Sequence, residues 1–486
     1  MQARAPRALA RALLPLPLRR GLSTALCWGA SAQGATGQGD AGAALAHHGL
    51  LPPALPASLR LDAIAAGART SAFVTACGAA YTCGSGPALG LGGAPAAPAP
   101  QRLALAGGAL AQRLYLGEGT GVALERGSRS PQVWGTGSEG QLGLGGALGP
   151  QGSYHGGEQP RLAPAPRALD GEALAQAALA RHRTLLLSEA GTVYTTGSGF
   201  LGELGGAGGA SGVLTAPRSV AGLPPPEQDR TTAIAAGLTF SLAATASGRL
   251  FFWGQVGHGG SGGGLLRHAL PTELALPGRL QGGGGGGGGG GAPRRLMLAA
   301  GLHFALVTDG AQAWVLGASL ASGGFEEGAG LRPLPLPRGL QRVTHVAAGA
   351  WTAGLVGDEA HVWLAGRLES PYLLGGEAGP GAARCLAEHA AREEAEAGVG
   401  AGGASPAPAP APAPAPAAPL SRAQLLEELG LEDEIGFAGA RNGDGLRYAR
   451  GALHAPRLVR VLDKALEGRR VVELALGAAH GVVLVE

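Results

Sequence analysis

One feature constrains this chain more than any other: a short apolar segment ending in glycine that returns along nearly its whole length. It reads Ile64-Ala65-Ala66-Gly67, Leu114-Tyr115-Leu116-Gly117, Ile234-Ala235-Ala236-Gly237, Leu298-Ala299-Ala300-Gly301, Val346-Ala347-Ala348-Gly349 and Leu474-Ala475-Leu476-Gly477, with a degenerate copy in which Ala180 takes the glycine's place. After each comes an apolar stretch, a turn, and a second segment that also ends in glycine: Gly84, Gly135, Gly197, Gly254, Gly317 and Gly366. The two glycines of a copy are sixteen to eighteen residues apart, as Gly67 to Gly84, Gly117 to Gly135 and Gly301 to Gly317 show. Two strands of about five or six residues joined by a short turn fill that interval. The gaps between copies vary far more. Rigid hairpins joined by elastic loops are what the blades of a β-propeller require.

The last copy says how the ring closes. After Gly477 the chain runs through Gly481-Val482-Val483-Leu484-Val485 and stops at Glu486, with no partner strand left. An orphan partner, Leu26-Cys27-Trp28-Gly29, stands at the opposite terminus. Pairing the two ends hides sheet edges that would otherwise be open. The expected fold is therefore all-β: a seven-bladed propeller over 24–486 whose N-terminal strand closes the last blade. Trp28, Trp134, Trp253 and Trp363 are expected to pack the blades.

The strand end Val133-Trp134-Gly135 and its continuation Thr136-Gly137-Ser138-Glu139-Gly140-Gln141-Leu142-Gly143-Leu144-Gly145 resemble the regulator-of-chromosome-condensation repeat. So does Ala-Ala-Gly followed by a histidine-bearing strand, the family's histidine being retained at His303 and His480. The resemblance covers 24–374 and 437–486. It implies the seven-bladed fold and a choice of roles. The family's founding member acts on the GTPase Ran, docking through one propeller face with a loop wedge near the nucleotide. A mitochondrial relative has been proposed to act on a dynamin-like fusion GTPase, and other mitochondrial relatives are associated with respiratory-complex assembly and mitochondrial ribosome biogenesis.

Residues 1–23 carry Arg4, Arg7, Arg11, Arg19 and Arg20 among alanines and leucines, and the first acid is Asp40. An Arg-rich, acid-free amphipathic leader is the pattern of a transit peptide, with cleavage expected between Leu22 and Ser23. Pro15, Pro17 and the following Arg19-Arg20 speak against a secretory signal. The destination read from the leader is the mitochondrial matrix; a chloroplast is the alternative. Taking the leader's five charges from the formal net charge of +3 leaves the remainder near −2, which is no footprint for nucleic acid. Lys464 is the sole lysine, so arginine abundance reflects coding bias rather than phosphate binding. No apolar run is long enough to span a membrane.

Two low-complexity stretches interrupt the repeat. Gly282–Gly291 reads as a flexible spacer between blades. The segment 377–436 combines a helical stretch at Ala383–Ala397, an alternating Pro/Ala run at Ser405–Pro419 and an acidic helical stretch at Ser421–Glu434. It is either a partner-docking arm or an insertion tolerated because lengthening a loop costs little. Phe437–Gly445 resembles the strand-end turn again, as a second copy or as the late completion of the sixth blade.

Chemistry is hard to find. Gly135–Gly140 and Gly197–Gly202 match the spacing of a dinucleotide fingerprint, but neither opens a helix and both fall at one phase of the repeat, so they read as turns. Cys77 and Cys83 are read as buried free thiols in strands; a disulfide between them is the alternative. His47-His48 is a weak metal candidate, and Arg181-His182-Arg183 reads as a rim feature. No catalytic, cofactor-binding or metal-binding residue is assigned, and no cofactor is expected. The expected role is non-enzymatic: an interaction scaffold inside the mitochondrion, with protein partners in a respiratory or ribosomal complex. Guanine-nucleotide exchange on a mitochondrial GTPase is the alternative.

Overall fold

The computed structural model describes residues 23–29, 34–39, 50–127, 131–145, 158–164, 169, 172–206, 212–257, 264–278, 295–318, 320, 329–338, 340–358, 361–368, 447–449, 452–461 and 464–486. These form seven antiparallel sheets. Blade 1 consists of β2 (Leu61–Ala66), β3 (Thr70–Thr75), β4 (Ala80–Ser85) and β5 (Ala96–Leu103). Blade 2 consists of β6 (Ala111–Leu116), β7 (Thr120–Glu125), β8 (Gln132–Thr136) and β9 (Glu158–Pro164). Blade 3 holds β10 (Leu174–Leu179), β11 (Arg183–Ser188), β12 (Val193–Ser198) and β13 (Val213–Ser219). Blade 4 holds β14 (Thr231–Ala236), β15 (Phe240–Thr245), β16 (Leu250–Gly257) and β17 (Leu265–Leu274). Blade 5 is shorter, with β18 (Met297–Ala300), β19 (Phe304–Thr308), β20 (Ala313–Gly317) and β21 (Leu331–Leu334). In blade 6, β22 (Val343–Ala348), β23 (Thr352–Gly357) and β24 (Val362–Leu368) are followed by β26 (Ala452–Arg460), with β25 (Arg447–Ala449) as a fifth, outermost strand. The return of the chain after 446 thus completes the sixth blade rather than starting another.

Blade 7 is β27 (Val471–Leu476) and β28 (His480–Val485) from the C-terminus and β1 (Thr24–Gly29) from the N-terminus. The register runs without a break from Thr24↔Val485 to Gly29↔His480. Among the described residues its fourth-strand position is held by one bridge, in which Cys27 and Leu51 exchange backbone hydrogen bonds of 2.7 and 2.9 Å. The innermost strands β2, β6, β10, β14, β18, β22 and β27 contact one another in turn, and β27 returns to β2, so the ring is closed around a central axis.

The fixed glycine spacing has a geometric cause. In every blade the residue three places after the first turn position is the cross-strand partner of the second glycine: Thr70↔Gly84, Thr120↔Gly135, Arg183↔Gly197, Phe240↔Gly254, Phe304↔Gly317, Thr352↔Gly366 and His480↔Gly29. All seven of these glycines have φ between +88° and +113°. A methyl group at Gly84, Gly135 or Gly366 would collide with the carbonyl of Arg69, Gly119 or Trp351 in the adjoining turn. Only glycine combines that backbone with that approach.

Packing between neighbouring sheets supplies the core. Trp134, Trp253 and Trp314 are completely buried, and their indole nitrogens donate to the carbonyls of Ala88, Glu203 and Pro277 at 2.7–2.8 Å. Trp28 is buried as expected. Trp363 is only partly buried, and Trp314 takes the blade-packing role in blade 5 that the sequence reading did not assign.

Candidate functional site

The polar groups of the ring fall into two layers, one at the turns between the first and second strands and one deeper along the inner strands. In the first layer a backbone bond of 2.8–3.0 Å closes each turn: Gly67 N to Thr70 O, Gly117 to Thr120, Ala180 to Arg183, Gly237 to Phe240, Gly301 to Phe304, Gly349 to Thr352 and Gly477 to His480. These turns also bond to the next blade, with Ala68 N donating to Gly117 O, Leu238 N to Leu302 O, Leu302 N to Ala350 O and Ala478 N to Ala68 O. Close approach is what the turn glycines permit: side chains at Gly349 and Gly477 would run into the Gly477 and Gly67 carbonyls of the following blade.

At the degenerate copy, Ala180, a side chain bridges to the next blade. Arg183, only 1% exposed, donates Nη1 to Leu238 O and Nη2 to Gly237 O at 2.8 Å each, Nη2 also to Phe240 O, and Nε to Ser241 Oγ at 3.2 Å. Burial lowers its pKa to about 10, with the nearby Glu203 acting in the opposite sense. Arg183 is therefore a buried clamp between blades 3 and 4, which corrects its reading as a rim feature; Arg181 and His182 are exposed. His480 holds the equivalent place in blade 7, where burial pushes its pKa down to about 4 against the opposing influence of the Thr70 backbone of blade 1. The blade 5 equivalent is Phe304, so His303 lies one residue out of phase and tilts against Trp351 at 5.3 Å between rings.

The second layer is set by a repeated β-bulge. The ladder between the first two strands slips at Leu61/Ala63, Ala111/Arg113, Leu174/Gln176, Thr231/Ala233, Val343/His345 and Val471/Glu473, the same step in six blades. Bulges re-aim the side chains beside them. Arg113, Gln176, His345 and Glu473 thereby share one level along the axis. Inner strands have a free edge whose amides need acceptors. Gln176 meets this need for blade 4, accepting from Ile234 N at 3.0 Å and donating to Ile234 O at 2.9 Å. Glu473 repeats the latch at the closing seam, its Oε2 accepting from Ile64 N of blade 1 at 3.1 Å.

The other Glu473 oxygen, Oε1, meets Arg113 Nη2 of blade 2 at 2.6 Å, so this ion pair spans the inner edge of blade 1. Its side chains are 43% and 18% exposed. Burial raises the Glu473 carboxyl despite the pull of Arg113, and Glu473 in turn raises Arg113. His345 opens to solvent on the same level, and its pKa is lowered by burial first, then by Arg113 and Arg470. Asp62 is held by Arg126 at 2.9 Å.

The two glycine-rich motifs are packing turns. Gly140 lies against Leu214 and Thr215 on the outer strand of blade 3, and Gly202 against His268 and Ala269 on that of blade 4. Cys27, Cys77 and Cys83 are free thiols; Cys83 is buried in β4 as expected, whereas Cys77 is exposed in the turn between β3 and β4 and not buried in a strand. Among the described residues no group of three or more His, Cys, Asp or Glu is placed to hold a metal ion, and no helix is long and apolar enough to cross a membrane. His47-His48, Cys385, Gly282–Gly291, the leader 1–22, the segment 377–436 and Phe437–Gly445 lie outside the described residues. Among the seam residues the sequence singles out Arg183 and His480 but not Gln176, and it singles out none of Arg113, His345 and Glu473. The signal available was phase: each falls at a constant offset from a turn position.

No family model and no curated protein matches this chain by sequence. Solved structures match its fold. Human WBSCR16 superposes with a TM-score of 0.60 at 16% identity, covering 96% of this chain and 99% of that one. Prp20p from Saccharomyces cerevisiae, reported with its binding properties to Gsp1p and histones, superposes at 0.61 and 16% identity, covering 96% and 92%. Yeast RCC1 (Prp20) bound to Kap60 gives 0.61 and 17%, covering 99% and 96%. At these identities the agreement concerns the fold, and there the resemblance read from the strand-end turns holds.

Proposed function

We propose that this seven-bladed propeller of the regulator-of-chromosome-condensation type is a non-enzymatic interaction platform inside the mitochondrion, serving the assembly of a respiratory complex or of the mitochondrial ribosome. The observation that carries the reading is the closed ring itself. Arg183, buried, and Gln176, partly buried, are each bonded to the backbone of the next blade. That division of labour leaves the loops free to recognise a partner while the scaffold stays rigid. The leader supports the location: five arginines, no acid, and a processing pattern before Ser23.

The test is affinity capture of the full-length chain from isolated mitochondria. Enrichment of respiratory-assembly or ribosomal proteins is expected; enrichment of nuclear-transport proteins alone would reject the reading. N-terminal sequencing of the organelle-derived chain is expected to begin at Ser23, and recovery of Met1 would remove the import argument.

A second reading is favoured by one comparison, the match to Prp20p with its reported binding to Gsp1p. On that reading the chain accelerates nucleotide release from a mitochondrial GTPase. Stopped-flow release of a fluorescent guanine nucleotide separates the two, since a platform leaves the rate unchanged.

A further inference from the structure

Exposed apolar side chains gather at one place on the ring. Of the four large ones exposed among the described residues, Phe200, Leu265 and Leu270 stand 72%, 48% and 52% exposed where blade 3 meets blade 4; the fourth, Leu110, lies just ahead of β6. The turn that carries Phe200 copies a turn of blade 2. Gly199-Phe200-Leu201-Gly202-Glu203-Leu204-Gly205 matches Gly137-Ser138-Glu139-Gly140-Gln141-Leu142-Gly143, and Leu201 N donates to Glu203 Oε2 at 2.7 Å as Glu139 N donates to Gln141 Oε1 at 2.8 Å. Serine therefore satisfies the fold at the place where blade 3 has phenylalanine. The Glu203 carbonyl accepts from Trp253 Nε1 at 2.7 Å and from Ser241 Oγ at 3.1 Å, both in blade 4, so the turn is fixed to the neighbouring sheet and holds Phe200 out into solvent.

Beside this turn runs β17, the outer strand of blade 4 and the longest of the described strands. Gly202 lies against Ala269, and a side chain at Gly206 would collide with Leu270. Side chains of a strand alternate between its two faces. Leu266 packs against the core shared with blade 5, and His268 meets the Phe252 ring edge-on at 6.0 Å, so Leu265, Arg267 and Ala269 face blade 3. Arg267 is exposed and has no ion-pair or hydrogen-bond partner among the described residues. The described acids of blades 3 and 4 leave it unmatched. Glu203 is buried, Glu172, Asp229 and Glu273 are held by Tyr194, Ser247 and Arg249, and Glu189 and Glu227 stand at the opposite end of the sheets.

The edge of β17 is open as well. It is bonded to β16 on one side, and among the described residues no backbone bond from outside that ladder reaches it. Two other outer strands are met by chain from elsewhere: Pro98 of β5 accepts from Gly39 N at 2.9 Å, and Thr215 of β13 from Gly145 N at 2.7 Å. In blade 6 the outer strand β26 takes an antiparallel fifth strand, β25. The ring thus shows in its own sixth blade what covers such an edge, a short extended segment.

We propose that the outer edge of blade 4 takes an extended segment of a partner protein, added antiparallel to β17 as a fifth strand, in which an apolar and an acidic side chain follow each other on one face. A strand pairing with β17 sets its alternate side chains beside Leu265 and Arg267. An apolar residue fits the first, with Phe200 as the rigid aromatic anchor, and a carboxylate fits the second. The site deepens the platform reading and rests on it, since it names a surface and the chemistry of what binds there.

The probe is a fluorescein-labelled peptide, Thr-Val-Thr-Glu-Thr-Val-Thr, titrated with the full chain and followed by anisotropy. Saturable binding is expected. Phe200→Ser, which installs the residue that blade 2 carries at that place, and Arg267→Glu are each expected to weaken it about tenfold, the size of a hot-spot loss. Arg267→Glu is also expected to prefer the same peptide with lysine in place of glutamate. Absence of saturable binding, unchanged affinity in both variants, or a charge preference that does not reverse would overturn the proposal. Amide hydrogen exchange of the unaltered chain covers the case in which a variant misfolds: the peptide should slow exchange across Leu265–Leu274, and identical exchange with and without it rejects the site. Protection of β17 that grows with chain concentration in the absence of peptide would mean that a second copy fills the edge, which also rejects it. Affinity capture from mitochondria tests the platform reading separately, so capture with no peptide binding discards this edge alone, and peptide binding with no mitochondrial partner discards the location and keeps the edge.

Discussion

Trp28 and Gly481, near opposite ends of the chain, are cross-strand partners, and the indole occupies the space that a side chain at 481 would need. Gly121 and Trp134 repeat the arrangement in blade 2. The closing blade thus packs its middle strands as blade 2 does, although its strands are drawn from the two termini. Enlarging the smaller partner tests this directly. Gly481→Val is expected to destabilise the fold by about 1–3 kcal/mol, the cost of overpacking a filled core. Equilibrium urea unfolding measures it, and a change within error would show that the closing seam tolerates slack.

Arg183 replaces backbone contact with side-chain contact at one seam. Arg183→Ala strands the Gly237 and Leu238 carbonyls, and a loss of roughly 3–5 kcal/mol is expected from breaking a buried charged network. Arg181→Ala, on the exposed neighbour, is expected to stay within about 0.5 kcal/mol. Equal effects of the two substitutions would contradict the clamp.

His480 makes stability depend on pH. Its folded pKa of about 4 lies below the unfolded reference of 6.5, so burial favours the neutral ring. Above the reference both states are neutral and the full stability is present. As pH falls from 6.5 towards 4 the unfolded chain takes up a proton that the native chain refuses, and stability declines by about 3 kcal/mol. Glu473, raised by burial, acts with the opposite sign. Comparison with His480→Gln therefore isolates the histidine: the variant should lose this part of the slope, and an unchanged pH profile would refute the assignment.

The cysteines should react in two classes. Cys77 is exposed, and its thiol pKa is lowered chiefly by the Thr75 hydroxyl, whereas burial raises Cys83 to about 12 and Cys27 well above its usual value. Brief alkylation of the native chain followed by peptide mass spectrometry should label Cys77 and spare Cys27 and Cys83 until denaturant is added. Early labelling of Cys27 would mean that β1 detaches readily from the ring.

The sequence by itself determined the blade count, the hairpin within each blade and the strand that closes the ring. Those properties follow from short-range spacing: Gly67 and Gly84 stand at a constant interval because the register pairs Thr70 with Gly84, and a register is a local quantity. It also marked Ala180 as an irregular turn. Only the tertiary structure decided what that irregularity requires, because the carbonyls met by Arg183 belong to the next blade. The same holds for Glu473 with Ile64 and Arg113, separated by 409 and 360 residues along the chain. Such partners meet only once the ring has closed, so no periodicity in the amino-acid order announces them. The repeated bulge fixes which position turns towards the axis, while hydrogen-bonding need at the free inner edge of the next blade decides the partner met there.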